Sequence, residues 1–473
     1  MCWRRYHRVR EGPLPPSGAP DDASPDGPVT ASSPPSAFES GPAGLIPELR
    51  WRGMFHAASD GLEARLASGN SISGYNGFDP SGPWLHIGHL VPIFGLIHLQ
   101  RHGGRPIALV GGGTGMIGDP SGSSAERRLL DRETLDANVA SMRGQLERFL
   151  DFSGPRAAAM VNNLDWLGDI RLLDWLRDIG KHFTIPYMLA KDSVQLRLDR
   201  GLSYTEFSYM LIQATDFAHL RRTMGVELQM GGADQWGNIT AGLELIRRQG
   251  VGSGGGDAPP TADGSEPAFA LAYPLLLAPS GAKFGKSEGG DTIWLHADKT
   301  TPFAFYQYWL NTDDRDVPVY LRWFTTFIPD EITSLEAELA DHPEGRAAQR
   351  RLADDLTTRV HGADAAREAA EVSTAAFSGG PIEDPRILAL LHAATDGFDF
   401  RTEDAAGGVV PLLVSSGTFT SNGEARRMIA SGGVTLNGSR VTAPDASVPE
   451  PIAGEWLVVR VGKRRLRVGR RIG

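Results

Sequence analysis

Residues 106–118 read Pro-Ile-Ala-Leu-Val-Gly-Gly-Gly-Thr-Gly-Met-Ile-Gly. Five residues without polar alternation are the pattern of a strand covered on both faces. The glycines behind them mark a sharp turn or a close backbone approach. The arrangement recurs: Ala158-Ala-Met-Val161 runs into Asn162-Asn163, Glu227-Leu-Gln-Met230 runs into Gly231-Gly232, and Leu271–Ala278 is an apolar run. Helical patterns lie between, as where Leu135, Val139, Met142, Leu146 and Phe149 repeat at spacings of 4, 3, 4 and 3. Strands alternating with helices predict an α/β fold, a Rossmann-like doubly wound parallel sheet.

Gly113-Thr-Gly-Met-Ile-Gly118 matches G-x-G-x-x-G. A dinucleotide site also needs a second strand ending in an acid about 20 residues on. Residues 125–150 read as helix instead, and no Gly-Lys-Ser/Thr closes the loop as a Walker A would. Nicotinamide, flavin and P-loop chemistry are therefore set aside.

Asp79-Pro-Ser-Gly-Pro-Trp-Leu-His86-Ile-Gly88-His89 is more specific. It places two imidazoles at the start of a predicted helix over 88–102, an end that favours anions. Histidines there can donate to phosphate oxygens, and Gly88 leaves room for a nucleotide to lie close. Zinc ligation is the rival reading, with no third ligand near in sequence. The chain holds six lysines among 47 Lys+Arg, and two of them stand three apart in Lys283-Phe-Gly-Lys286-Ser287. Compact ammonium groups on a Gly-rich loop suit a polyphosphate.

Composition bounds the rest. Cys2 is the single cysteine, which excludes an intrachain disulfide or a Cys-based metal site and fits a reducing cytoplasm. The longest charge-free run, Pro80–Gln100, is broken by Pro, Gly, Ser and three His, so no transmembrane helix is expected. Met1–Arg10 is basic but no apolar segment follows, as a secretory signal requires. Residues 1–45, with nine Pro, five Gly and six Ser, read as disordered, and Gln249–Pro267, with six Gly and three Pro, as a flexible insertion. Residues 405–473 carry ten Lys+Arg against four Asp+Glu, a net of +6, so the remainder of this −10 chain carries −16. A basic module on an acidic body suits a polyanionic partner. Within it, Ser421-Asn-Gly-Glu424 reads as a capping box, Val434–Val441 as a hairpin with an Asn-Gly turn, and Trp456–Val461 with Arg464–Val468 as another.

His-Ile-Gly-His and Lys-Phe-Gly-Lys-Ser together resemble the two signatures of class I aminoacyl-tRNA synthetases. Further blocks narrow the resemblance to the bacterial-type tyrosyl-tRNA synthetases: Tyr75-Asn-Gly-Phe-Asp79-Pro, Leu109–Pro120, Gly180-Lys-His-Phe183, Thr205–Gln213 and Gly231–Thr240. Four residues, Ser81 to Trp84, separate Pro80 from Leu85. The tryptophanyl relatives have one fewer. The resemblance implies that Tyr75 and Asp216 hold the substrate phenol, that Asp119, Tyr209 and Gln213 cradle its ammonium, and that Gln235 lies near its carboxylate. It assigns ATP to Gly77, Asp79, Gly88, Asp234 and Lys286. Ser81, His86 and His89 would face the leaving phosphates from one side, with Lys283, Lys286 and Ser287 closing from the other. ATP would bring Mg2+ with it, without a dedicated protein site.

The implied domains are a catalytic domain over 46–290, an α-helical anticodon-recognition domain over 291–395, a linker over 396–408 and an S4-like α+β RNA-binding domain over 409–473. Arg426, Arg427, Arg464 and Arg465 would meet tRNA(Tyr). The implied assembly is a cytoplasmic homodimer with no membrane partner. Thr215, Ala233, Ser123 and Ser124 depart from residues common in the family.

Overall fold

The computed structural model of the chain describes residues 42–119, 130–191, 194–195, 198, 201–250, 268–281, 284, 292–377, 380–395, 397–462 and 465–472. Lys283, Lys286, Ser287, Arg464, Ser123, Ser124, the extension before residue 42 and residues 251–267 of the insertion lie outside them.

Six strands form the first sheet: β1 (Ala57–Ala58), β2 (Ser73–Phe78), β3 (Arg105–Val110), β4 (Ala159–Asn162), β5 (Leu228–Gly232) and β6 (Phe269–Tyr273). Their order is β1-β6-β5-β2-β3-β4, parallel throughout except for β1 against β6. The two-residue side-chain period of β3 sorts its apolar run onto both faces. Ile107 and Leu109 join one core cluster with the helices Tyr204–Met224 and Trp236–Gln249, whereas Ala108 and Val110 join the other with Leu90–Arg101 and Arg132–Leu146. Tyr75 lies on the first face, its ring 5.6 Å from Phe217. From β2 the sheet grows one way through β3 and β4, and the other through β5 and β6. In such sheets the ligand crevice opens at this switch point, beyond the carboxyl ends of the strands.

The apolar run Leu271–Ala278 is strand only to Tyr273. Pro274 lacks the N–H that would continue the ladder, and Leu275 and Leu277 turn outward.

After residue 300 the chain is helical: Pro302–Leu310, Val317–Phe324, Pro329–Asp341, Ala347–His361, Ala363–Phe377 and Pro385–Ala394. Phe305, Trp309 and Phe324 are buried in the same cluster as Phe94 and Leu96, so this part shares a core with the sheet. Arg52 reinforces the join. It is buried, pairs with Glu48 at 2.6 Å and donates to the carbonyls of Arg322, Thr325 and Phe327.

The second sheet has the order β7-β11-β10-β8-β9, with β7 (Phe398–Phe400), β8 (Val434–Leu436), β9 (Ser439–Arg440), β10 (Trp456–Val461) and β11 (Arg465–Arg471). This corrects the expected linker over 396–408. Phe398–Phe400 pairs in parallel with Gly469–Arg471, and Thr402–Ala406 is a helix. Three residues are too few for periodicity to reveal a strand. The contact partner is also distant: a Cβ on Gly469 would lie 2.5 Å from the Phe398 ring, so glycine makes room for that phenyl. Asn437 and Gly438 have φ of 46° and 80°, as an Asn-Gly hairpin turn requires. The expected capping box is half formed. Ser421 accepts from the Glu424 N–H, but the Glu424 carboxylate takes the Thr420 N–H at 2.9 Å. Among the described residues no helix is long and apolar enough to cross a membrane.

Candidate active site

The glycines after β3 fit against protein. The Gly112 N–H donates to Asn162 Oδ1 at 3.1 Å and the Gly113 N–H to Asn163 Oδ1 at 2.7 Å. A Cβ on Gly111 would lie 2.5 Å from Asp79 Oδ1, and one on Gly112 would lie 2.2 Å from Asn162 Oδ1. The G-x-G-x-x-G match thus reflects a loop gripped by Asn162, which ends β4, and Asn163, which follows it.

Asn163 continues inward. Its Nδ2 donates to Asp216 Oδ2 at 2.9 Å and to Thr114 Oγ1 at 3.1 Å, and Thr114 Oγ1 donates to Asp79 Oδ1 at 3.0 Å. Trp166 Nε1 donates to Asp216 Oδ1 at 2.8 Å, with its indole flat against His219 at 4.5 Å. Burial pushes the Asp216 carboxyl up to about 7, while Asn163 and Trp166 pull it back and Asp79 adds to the rise. Tyr75 is buried, and its hydroxyl has no hydrogen-bond partner among the described residues. Burial first, then Asp216, holds that hydroxyl protonated well above its ordinary range. Buried hydroxyls ordinarily have a hydrogen-bond partner, which makes this one a candidate contact for a ligand. Gly77 shares the face of Tyr75 on a central strand yet is exposed, so space opens above it.

Tyr209, on the helix Tyr204–Met224, donates to Asp79 Oδ2 at 3.0 Å. Its hydroxyl is raised by burial and then by Asp79, Asp119 and Asp216. Asp119 is buried and accepts from Gln235 Nε2 at 2.7 Å. Gln213 sits one turn after Tyr209 and is half-buried, while Asp234 is exposed. Three carboxylates around one phenol make this end of the crevice receptive to a cation.

The histidines cap a short 3₁₀ turn, Ile87–His89. His86 Nδ1 accepts from the Gly88 N–H, and His89 Nδ1 accepts from the His86 N–H, both at 3.0 Å. Rings that accept at Nδ1 are neutral and carry their proton at Nε2; His89 Nδ1 also lies 3.3 Å from His86 O. Burial and then His86 hold His89 down to about 3. The expectation for Gly88 needs correction: the direction of its missing side chain is filled by the His86 ring, 2.7 Å from a Cβ there. Ser81 is exposed, its N–H donating to Asp79 O at 2.9 Å.

Beyond the Lys-Phe-Gly-Lys-Ser stretch, the backbone returns to the histidines. The Ile87 N–H donates to Ile293 O at 3.1 Å and the Leu295 N–H to Leu85 O at 2.7 Å. Trp294 stands edge-on to His86. Phe284 stacks on Phe324 at 5.3 Å.

Asn163, Trp166 and Thr114 escaped the sequence reading. The one signal was the Asn-Asn pair directly after a predicted strand. Arg426, Arg427 and Arg465 lie far from this crevice in sequence and are exposed on the second sheet's module. Arg465 also donates to Thr418 O, and its neighbour Arg467 is buried.

The model of class I tRNA synthetases (W and Y) matches residues 67–378, and that of a tyrosine–tRNA ligase SYY-like C-terminal domain matches residues 393–468. The chain is 48% identical to the tyrosine–tRNA ligase of Anaeromyxobacter dehalogenans, over 89% of this chain and 97% of the relative. It is 46% identical to that of Geobacillus stearothermophilus, over 89% and 98%. A C-terminally truncated mitochondrial tyrosyl-tRNA synthetase of Aspergillus nidulans superposes with a TM-score of 0.62 at 29% identity, covering 71% of this chain and 94% of that one. The chain belongs to the tyrosine–tRNA ligase family of class I tRNA synthetases.

Proposed function

We propose that this chain is a tyrosine–tRNA ligase that joins L-tyrosine to tRNA(Tyr) at the expense of ATP. The observation that carries the reading is the buried Tyr75 hydroxyl, which has no hydrogen-bond partner among the described residues and feels the charge of Asp216. A substrate phenol completes it by donating to the carboxylate and accepting from Tyr75. The ammonium lies toward Asp79, Asp119 and Tyr209, with Gln213 nearby, and Gln235 meets the substrate carboxylate. That carboxylate attacks the α-phosphorus of ATP. The bond to the β-phosphate oxygen breaks, and tyrosyl-adenylate and pyrophosphate form. The terminal adenosine hydroxyl of the tRNA then attacks the tyrosyl carbonyl and releases AMP.

A carboxylate is already a nucleophile, so the chain supplies position and charge stabilisation. Gly77, Asp79 and Asp234 line the nucleotide. Ser81 and the Nε2–H groups of His86 and His89 face the departing phosphates, opposite Lys283, Lys286 and Ser287. ATP enters as its Mg2+ complex, so the ion is part of the substrate. Arg426, Arg427, Arg464 and Arg465 neutralise tRNA phosphates, and the helical domain reads the anticodon region. Exposed Leu172 (69%), Leu173 (77%), Ile185 (58%) and Tyr204 (72%) support a homodimer that covers them. The setting is the cytoplasm. Incubation with ATP, labelled tyrosine and tRNA should yield acid-precipitable tyrosyl-tRNA, with one AMP per tyrosine attached. Absence of charged tRNA would overturn the proposal.

A further inference from the structure

The segment Leu85–Ile87, which delivers His86, is held along two edges. On one, Leu85 O and the Ile87 N–H pair with Leu295 and Ile293 at 2.7 and 3.1 Å. On the other, no strand among the described residues pairs with it. The amide of Gln145, on the helix Arg132–Leu146, takes the place of a peptide unit: its Oε1 accepts the Leu85 N–H at 3.0 Å, and its Nε2 donates to Pro83 O at 2.9 Å.

Two more side chains of that helix grip the same loop. Ser141 Oγ donates to Pro83 O at 2.6 Å, and Asn138 Nδ2 donates to Pro80 O at 3.0 Å. Residues 138, 141 and 145 are spaced by three and four, so they form one stripe along the helix. Asn138 and Gln145 are buried, at 4% and 7% exposure, beside the apolar stripe of Val139, Met142 and Leu146. Polar groups at such positions cost stability unless partnered, and the partners here are main-chain atoms of residues 80–85, with Ser141 O and Oγ also accepting from Gln145 Nε2 at 3.1 and 3.3 Å.

We infer that Gln145, supported by Asn138 and Ser141, is a positioning residue that sets where His86 and His89 present their Nε2–H groups to the ATP phosphates. The inference rests on the functional reading above. It separates the two ends of the crevice, because Tyr75 and Asp216 sit on β2 and on the helix Tyr204–Met224, neither of which touches this clamp through the bonds named. Gln145→Met preserves the volume and removes both bonds. Gln145→Glu keeps the acceptor for Leu85 and loses the donor to Pro83.

The test is single-turnover tyrosyl-adenylate formation per active site, with active sites counted by the adenylate burst, alongside the dissociation constant of tyrosine. Misplacement by about 1 Å costs about 100-fold in rate. Gln145→Met should therefore slow adenylate formation about 10- to 100-fold with tyrosine affinity changed less than about twofold, and Gln145→Glu should fall between it and the unsubstituted protein. A merely structural role would reduce the number of active sites and leave the rate per site unchanged. That result overturns the inference, and so does a loss of tyrosine affinity equal to the loss of rate. Should Gln145→Met fail to fold, Gln145→Glu and Ser141→Ala carry the same test with the same two criteria. Failure of the unsubstituted protein to form adenylate would instead overturn the functional reading.

Discussion

Asp216 accepts from Asn163 and Trp166 while burial resists its charge, and the balance leaves its carboxyl near pH 7. Both donors are N–H groups, which bond the ionised form, and a substrate phenol needs that same acceptor. Tyrosine affinity should therefore rise as pH increases through about 7 and level off above. Trp166→Phe removes a donor that holds the carboxyl down, so the midpoint should move to higher pH. A fluorescence titration of tyrosine binding against pH measures both, and a flat profile for the unsubstituted protein would contradict the assignment. The same shift has a sign for stability. A carboxyl raised on folding contributes stability below its unfolded value, and that contribution is lost as pH rises through about 7. Tyr75→Phe should cost about 1 kcal/mol of tyrosine binding, one neutral hydrogen bond, and narrow the preference over phenylalanine. Asp216→Ala strands the Asn163 and Trp166 donors as well and should cost more. Steady-state kinetics on the two variants with both amino acids separates these costs. Tyr75 and Asp216 were named through the family resemblance, which contiguous stretches of sequence carry. Asn163 and Trp166 were not, since their purpose is contact with a residue 53 and 50 positions away.

The elements repeat that lesson. The strand at 106–110 and its glycines could be read directly, but their reason could not, because the neighbours that forbid a side chain at Gly111 and Gly112 are Asp79 and Asn162 on other strands' ends. Phe398–Phe400 was invisible for want of length, and it moves the edge of the basic module. A chain ending at residue 396 should therefore unfold at higher temperature than one ending at 404, which leaves Phe398 and Phe400 without β11. Differential scanning fluorimetry decides this, and the reverse order would contradict the strand's place in the module. In the intact chain, Arg426 and Arg427 are exposed on a helix. Changing both to Gln should lower the slope of log tRNA affinity against log salt by roughly one for each phosphate that an arginine no longer neutralises. An unchanged slope would remove these arginines from the tRNA interface.

At the scale of the molecule, the sheet and the helices after residue 300 share one core, with Arg52 bridging them. Leu172, Leu173, Leu176, Ile185 and Tyr204 are exposed, and the proposed homodimer would cover them. Sedimentation should give a dimer at micromolar concentration, and Leu173→Glu should give a monomer. A fully active monomeric unsubstituted protein would contradict that assembly.

On the proposed function, the crevice at the β2/β5 switch point selects a phenol and activates its owner with ATP. Amino-acid-dependent exchange of labelled pyrophosphate into ATP, run with each of the twenty amino acids, tests it most directly. Exchange should be rapid with tyrosine and slower by orders of magnitude with phenylalanine, which leaves the buried Tyr75 hydroxyl without a phenol to bond and brings the Asp216 carboxylate no donor beyond Asn163 and Trp166. Equal exchange with tyrosine and phenylalanine, or exchange driven by a different amino acid, would contradict it.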